Sequence, residues 1–567
     1  MTNALKILRH SAAQVLAVAV SSLFPKAQLV SGESTSQGFY YDFFFHEPIT
    51  KEQIPFIEER MRDFMRQAMP FKLMEMMRKN AIELFKYHHQ DLKVALLKAN
   101  VETLVHVCQV GSFYDLAYPP FVETTKDIGV IKLLDISSLT LSLPGKPSLK
   151  LTRIQGTAFP SQQALKDFLK KNEAAKERDH RLLGPAMHLF ASLDEACPGC
   201  WAWHSKGVLL RKTLLDLWHV EHHGLGYQFV NTPDLIRPQV IENQKYCSFS
   251  FKSDSTSYAT GVSKAFTHSA LFKSKLHSYR ELPIRYAECG DCYDSTKEVH
   301  LWGLLKARAF TADKEHIFCD QEQLLDELIS SLQFINKTVK IMGFEAHWYL
   351  MAKSQKATKP LKKWDESLNS LVKALQACEF NYTLDNEPTD GYGPSIEARF
   401  VDALGREWKG PYVNIDLYHP DKLGLHYQSQ EGGMRRPAMI GRSMLGSLER
   451  LIAVLVEHYS GYLPLWLAPE QMRVIPVLEG QAGYAAELRK MIELQGFRVG
   501  VDDRKENLGV KIHAAESEKV PYIIIIGEAE EKNRTISLRS YPGGQREDGV
   551  LTDKWLEQLK AKIESKA

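Results

Sequence analysis

Cysteine is scarce here, with eight residues in 567. That excludes a disulfide scaffold and favours a mostly reduced intracellular chain. Charge of one sign is also lacking: 71 Lys+Arg against 69 Asp+Glu leave a net +2. General attraction to polyanions is excluded, and any nucleic-acid contact must come from local patches. No run approaches the roughly 18 apolar residues of a membrane-spanning helix. No Gly-x-x-x-x-Gly-Lys-Ser/Thr occurs, so a P-loop nucleotide hydrolase has no support. Internal repeats and low-complexity tracts are missing too. The N-terminus needs one check, because Lys6 and Arg9 precede the apolar stretch Ala12 to Val20, superficially like a signal peptide. Gln14 interrupts that stretch, an amphipathic first helix suits it better, and a cytoplasmic location is expected.

What is present is ordinary globular material: 44% apolar, 10% aromatic and 25% charged residues, enough for about three to five domains. Residues 1–160 mix helices and strands. Gly38 to Phe45 (GFYYDFFF) is strand-like, and Glu52 to Lys98 reads as long amphipathic helices. Residues 161–189 read as a charge-rich helical connector opened by an N-cap Ser161. Residues 190–466 are richer in short strands, such as Tyr227 to Asn231, Arg285 to Cys289 and Val413 to Leu417. Residues 467–567 alternate strand and helix in a βαβαβ order, which implies a small domain with a mainly parallel sheet.

Several local patterns could carry chemistry. Cys197-Pro-Gly-Cys200 and Cys289-Gly-Asp-Cys292 could supply a four-thiolate zinc site. The interval between the pairs far exceeds the roughly 15–20 residues of a compact zinc ribbon, so unrelated free cysteines are the better reading. His219, His222 and His223 could present two imidazoles on one helical face, although a packed or solvated face is the plainer account. Gly224, Gly226, Gly391 and Gly393 read as turn formers. Asp502, Asp503 and Arg504 at a strand end could be a turn or a ligand rim.

One resemblance covers nearly the whole chain. It is carried by His10 to Ala13 (HSAA), Gly38 to Phe43 (GFYYDF), Lys176 to Arg181 (KERDHR), Leu276 to Pro283 (LHSYRELP) and His316 to Cys319 (HIFC). Asp402 to Trp408 (DALGREW), Leu445 to Arg450 (LGSLER), Leu463 to Pro469 (LPLWLAP) and Val501 to Glu506 (VDDRKE) followed by Pro521-Tyr522 continue it in order. Together they resemble threonyl-tRNA synthetases, class II aminoacyl-tRNA synthetases. The resemblance implies an α/β and α+β multidomain chain. An editing-like α+β domain would span 1–160, the connector 161–189, a class II antiparallel-sheet catalytic domain 190–466, and an α/β anticodon-binding domain 467–567. It also implies a homodimer, with Pro233 matching the motif 1 proline, and the use of tRNA, ATP, magnesium and zinc. The small ubiquitin-like N-terminal domain common in the family is expected to be missing.

The chain departs from the family where the chemistry lies. In the editing domain His10 remains, but Gln14, Ala117 and Phe121 stand at the second histidine, the cysteine and the last histidine. None of these three moves a proton or orients water by charge. The zinc positions match Ala265, His316 and Gly441, and one imidazole will not hold zinc; His268 nearby is a possible substitute. Lys314 stands where an Asp binds the threonine hydroxyl. Motif 2 reads Tyr293-Asp-Ser-Thr296 instead of His-Arg-Asn-Glu, so Asp294 replaces the phosphate-clamping arginine and Thr296 the adenine-reading glutamate. Lys306, Phe310 and Arg450 match retained ATP-binding positions. Gly410 to Asn414 (GPYVN) replaces the family's Cys-Gly-Thr-x-Gln. These losses together predict a catalytically inactive member that needs no cofactor and works by binding tRNA or protein. The alternatives are an active threonine–tRNA ligase with rearranged ligands, or a subunit pairing with a genuine synthetase. Over residues 467–567, 16 Lys+Arg face 17 Asp+Glu, which argues against tight, salt-dependent tRNA binding by that domain.

Overall fold

The computed structural model describes residues 3–35, 38–99, 102–141, 149–238, 247–261, 263–296, 301–353, 361–389, 392–550 and 552–566; Gly391 lies outside them. Two compact units, Met1–Glu173 and Ala174–Ala567, make up the chain.

In the first unit, helix α1 (Asn3–Leu23) packs with α2 (Ile54–Arg66) on an antiparallel sheet. The stretch that looked like a signal peptide is core: Val15, Leu16, Ala17, Ala19 and Val20 are fully buried. Strands β1 (Gln28–Ser34) and β2 (Phe39–Phe44) join two later strands in this sheet. Phe39, Tyr41 and Phe43 of β2 all point inward, the period of two that a half-buried strand requires. Each such ring contributes roughly 1.5–3 kcal/mol by burial.

The helical reading of 52–98 needs one correction. Phe71–Met77 is strand β3, paired antiparallel with β4 (Leu104–Val110), which in turn pairs with β5 (Phe113–Leu116). Its Leu, Met and Glu favour helix in isolation, but cross-strand pairing overrides so weak a preference. The remaining sheet strands are β6 (Val130–Leu141) and β7 (Leu149–Phe159), in the order β1-β2-β7-β6. The connector forms α3 (Gln162–Glu177). Ser161 caps it by accepting from the Ala164 N–H at 3.2 Å. A break at Arg178–Asp179 precedes the short helix His180–Ala186.

The second unit is built on an eight-stranded sheet. Chain order gives α4 (Ser205–Gly224), β8 (Gln228–Phe229), α5 (Ala265–Lys273), β9 (Ile284–Tyr293), β10 (Ala309–Cys319) and α6 (Leu324–Ile341). Then follow β11 (His347–Lys353), β12 (Tyr382–Pro388), β13 (Ser395–Val401), β14 (Glu407–Ile415), β15 (Ala438–Ser443) and α7 (Leu448–His458). The strands lie in the order β8-β9-β10-β15-β14-β13-β11-β12, antiparallel except at the two edges, where β8–β9 and β11–β12 are parallel.

One sheet face packs on α4, α6 and α7 through Ile317, Ile396, Val413 and Ile440, among others. The other face stays open enough to hold a cavity.

At the C-terminal end, β16 (Met472–Pro476), α8 (Ala482–Leu494), β17 (Val499–Val501), α9 (Leu508–Ser517) and β18 (Tyr522–Ile526) follow the expected alternation. The sheet is mixed rather than mainly parallel. Its order is β17-β16-β18-β19-β20, and β19 (Ile536–Ser540) and β20 (Gln545–Val550) add two antiparallel strands. A hairpin at an edge can be built from polar residues such as Gln545 to Asp548, which carry no apolar alternation to read.

Candidate functional site

The strand period places the candidate residues. On β10, Phe310, Ala312, Lys314 and His316 face a cavity of about 710 Å³, with Tyr412 and Asn414 of β14 on the same wall. The alternate residues Asp313 and Glu315 point the other way and are fully buried.

That buried face holds a polar network. Asp313 accepts from the Ser443 hydroxyl at 2.9 Å and from the N–H groups of Met444, Leu445 and Gly446 at 2.6, 2.8 and 2.8 Å. Those bonds fix the turn that brings Arg450 to the cavity. Burial and the neighbouring Glu315 push Asp313 up to about 6. Burial alone would raise Glu315 as well, but His222 and Arg442 hold it down at about 2. Trp218 Nε1 donates to Glu315 at 3.0 Å, and an Arg442 amino group lies 2.7 Å from His222 Nε2. His222 is thus a core histidine, whereas His219 and His223 are exposed; the trio is not gathered into a site.

At the three zinc positions the side chains do not fit a metal. Ala265, His316 and Gly441 do come together along the cavity, but only one of them carries a ligand atom. A Cβ on Gly441 would stand 2.4 Å from Asn414 Oδ1, so a side chain there would require the Asn414 amide to turn aside. His316 Nδ1 lies 2.8 Å from His268 Nδ1, and His268 Nε2 lies 3.0 Å from Glu288 Oε2. Lys264 reaches the same Glu288 at 2.9 Å. Burial and then the neighbouring His268 hold His316 well below its ordinary value, so its imidazole is neutral. His268 does not rebuild the metal site; it is spent on Glu288 and His316.

The motif 2 segment has closed on itself. Asp294 Oδ1 accepts from the Thr296 N–H at 2.7 Å. Arg308 donates to the carbonyls of Asp294, Thr296 and Pro198 at 3.1, 3.3 and 3.0 Å. Phe310 and Arg450 line the cavity. Arg450 donates to the Leu305 carbonyl at 3.0 Å, and its burial outweighs the pull of nearby Asp294. Lys306 pairs through its backbone with Trp302 and is not part of the described cavity wall. Arg308 was not singled out from the sequence; only the three-dimensional path of the loop shows what it holds.

The two Cys-x-x-Cys pairs stay apart. Cys197 and Cys200 have sulfurs 2.8 Å apart on a loop. Cys289 and Cys292 sit three apart on β9, so they point to opposite faces, with Cys292 at the cavity and Cys289 against the core. Among the described residues, the one group with metal-ligand proximity is Asp179, His180 and Glu457. Both nitrogens of His180 are already used, by Glu457 at 2.6 Å and by the Leu304 N–H at 3.0 Å. The KERDHR segment is therefore a lock between the connector and α7. Asp502 accepts from Arg504 at 2.8 and 2.6 Å, which makes that trio a turn.

In the first unit, the editing positions form a stacked apolar cluster. His10 Nε2 lies 2.9 Å from the Tyr118 carbonyl oxygen, and its ring stacks on Phe121 at 4.9 Å. Burial lowers its pKa. Ala117 is buried beside Val18 and Cys108. Gln14 is fully buried, and its amide nitrogen and oxygen have no hydrogen-bond partner among the described residues. A neighbouring group missed in the sequence is the buried Lys93–Asp115 ion pair, to which Tyr41 donates at 2.7 Å.

The antiparallel sheet, its motif-bearing cavity and the α/β domain after it define a class II aminoacyl-tRNA synthetase architecture. Residues 249–459 match the family described as tRNA synthetase class II core domain (G, H, P, S and T). Residues 471–562 match the anticodon binding domain family. The chain is 36% identical over 545 residues to threonine–tRNA ligase of Oleidesulfovibrio alaskensis, covering 95% of this chain and 84% of that protein. It is 35% identical over 547 residues to that of Lawsonia intracellularis, covering 95% and 85%. The crystal structure of the RNA binding domain of threonyl-tRNA synthetase from Cryptosporidium parvum matches with a TM-score of 0.64 at 30% identity, covering 69% of this chain and 98% of that one. The chain belongs to the threonine–tRNA ligase family.

Proposed function

We propose that this chain is a threonyl-tRNA-synthetase-like protein that no longer activates threonine and works by binding tRNA or protein. The observation that carries the reading is the donor set at the metal position: Gly441 offers no side chain, Ala265 offers a methyl group, and His316 is engaged by His268. A tetrahedral zinc needs at least three ligating side chains. Motif 2 supports the same conclusion. One oriented charge at a developing phosphoryl centre is worth about 3–4 kcal/mol, so exchanging arginine for Asp294 should cost roughly a thousandfold or more in rate.

The test is threonine-dependent ATP–pyrophosphate exchange, with zinc content measured on the same sample. No exchange above background and no stoichiometric zinc are expected. Robust exchange would return the chain to the active-ligase reading, for which Phe310 and Arg450 on the cavity wall are the starting points. The double change Asp294→Arg with Thr296→Glu should strengthen ATP binding without restoring threonine activation.

The reading also makes the protein a cytoplasmic homodimer. Support comes from the three-stranded sheet that holds Leu235–Ile236, Cys247–Ser253 and Thr256–Gly261, where Leu235, Phe249 and Phe251 are 49%, 41% and 47% exposed. Apolar residues gathered beside Pro233 suit a protein interface. Pairing with a genuine synthetase would use the same surface.

A further inference from the structure

We propose that the cavity over the large sheet binds a carboxylate carried on an apolar body, anchored by the ammonium of Lys314. The proposal rests on the reading that the zinc grip on threonine is gone, and it names what the altered pocket takes instead.

The first observation is an uncompensated charge. Lys314 lies half-buried on the cavity wall. Its nearest polar partner is the Tyr412 hydroxyl at 3.4 Å, and the ammonium sits 5.5 Å from that ring's centre. Among the described residues no carboxylate lies within ion-pair distance of it. The acids around it are spent elsewhere. Glu288, its cross-strand neighbour, is held by Lys264 and His268. Asp313 points through the sheet to the Met444, Leu445 and Gly446 amides. Glu397 is bonded to Arg399, and Asp416 to His419. Charges set into protein walls are ordinarily paired, and this one faces open volume.

The second observation is the rest of the wall. Ala265 and Ala312 on the same wall are small, and Phe310 and Tyr412 supply aromatic surface. At about 710 Å³ the space suits a molecule of drug-like size rather than a bare anion. Arg450 and Lys409 also line the cavity, but Arg450 donates to the Leu305 carbonyl at 3.0 Å and Lys409 has a partner of its own, which leaves Lys314 as the anchoring charge. An acid with a hydrophobic body satisfies both halves of the wall. An ammonium compound would meet Lys314 as a like charge.

The test uses 3-phenylpropionate, its uncharged isostere 3-phenylpropanamide, and L-threonine, titrated calorimetrically into the full chain. The acid should bind at least about tenfold more tightly than the amide, as a charge-assisted bond in a partly desolvated site requires, and threonine should not bind. In Lys314→Met the acid and the amide should become equal within about twofold, while Lys314→Arg should keep the preference. Lys314→Gln serves the same purpose if the methionine variant does not fold. Equal binding of acid and amide by the unchanged protein overturns the proposal. So does a preference that survives loss of the lysine charge, or no binding of either compound. Pyrophosphate exchange is read separately, so an active ligase would sink the inactivity reading without altering the acid–amide comparison.

Discussion

A Cβ on Gly441 would meet Asn414 Oδ1 at 2.4 Å, so restoring a ligand there requires the Asn414 side chain to turn aside. Ala265→Cys with Gly441→His should take up little zinc and should lose about 1–3 kcal/mol of stability through overpacking. Adding Asn414→Ala opens the space, and this triple variant should carry close to one zinc per chain by elemental analysis. Equal zinc in the double and the triple variant would show that Asn414 is no obstacle. The missing ligands were visible in the sequence as a methyl group and a hydrogen. The contact was not, because Asn414 and Gly441 meet only through the pairing of β14 with β15. The bond between His316 and His268 was hidden for the same reason. Sequence spacing puts the two histidines 48 residues apart, and a motif alignment treats them as separate remnants.

Single strands serve two purposes at once in this sheet, and β10 does so most sharply. Its cavity face carries Lys314 and His316, and its core face carries Asp313 and Glu315. Glu315 is satisfied by Trp218, Arg442 and His222. Arg442→Met would leave that carboxylate short of its countercharge and should cost about 3–5 kcal/mol in chemical denaturation. Arg442→Met with Glu315→Leu should recover most of the loss, since a buried ion pair is often replaceable by apolar residues. A double variant as unstable as the single one would contradict this account. The long strands and helices of this unit were legible because their apolar alternation is strong. Strand β3 was missed because its FKLMEMM sequence favours helix until β4 lies beside it, and β20 because its polar residues leave no period to detect.

Across the second unit, an ion network ties α4 to the C-terminal domain. Lys206 lies 2.5 Å from Glu470 and 2.6 Å from Glu518, and Arg473 reaches both carboxylates at 2.7 Å. Burial opposes ionisation of Glu518, but Arg473 and Lys206 prevail and hold it at about 2. A carboxyl depressed in the folded state adds stability above its unfolded value near 4.3, and that stability is lost as pH falls toward 2. Glu518→Gln should therefore lower the melting temperature at neutral pH, by an amount equivalent to about 1 kcal/mol after allowance for solvent screening. It should also flatten the fall in stability between about pH 4.5 and 2; an unchanged acid slope would exclude Glu518 as its source. The class II core and the anticodon-binding domain could be read from motifs spread along the chain, whereas this junction could not, because its charges come from three separate segments.

The burial of α1 has a consequence for synthesis. Residues Val15 to Val20 are sealed by a sheet whose strand β7 ends at Phe159, so the helix leaves the ribosome long before its cover exists. At roughly 5–20 residues per second, the apolar segment waits on the order of ten seconds without a partner. During that interval a signal-peptide-like sequence is available to the factors that read such sequences, and the emergence of β7 ends the competition between targeting and folding.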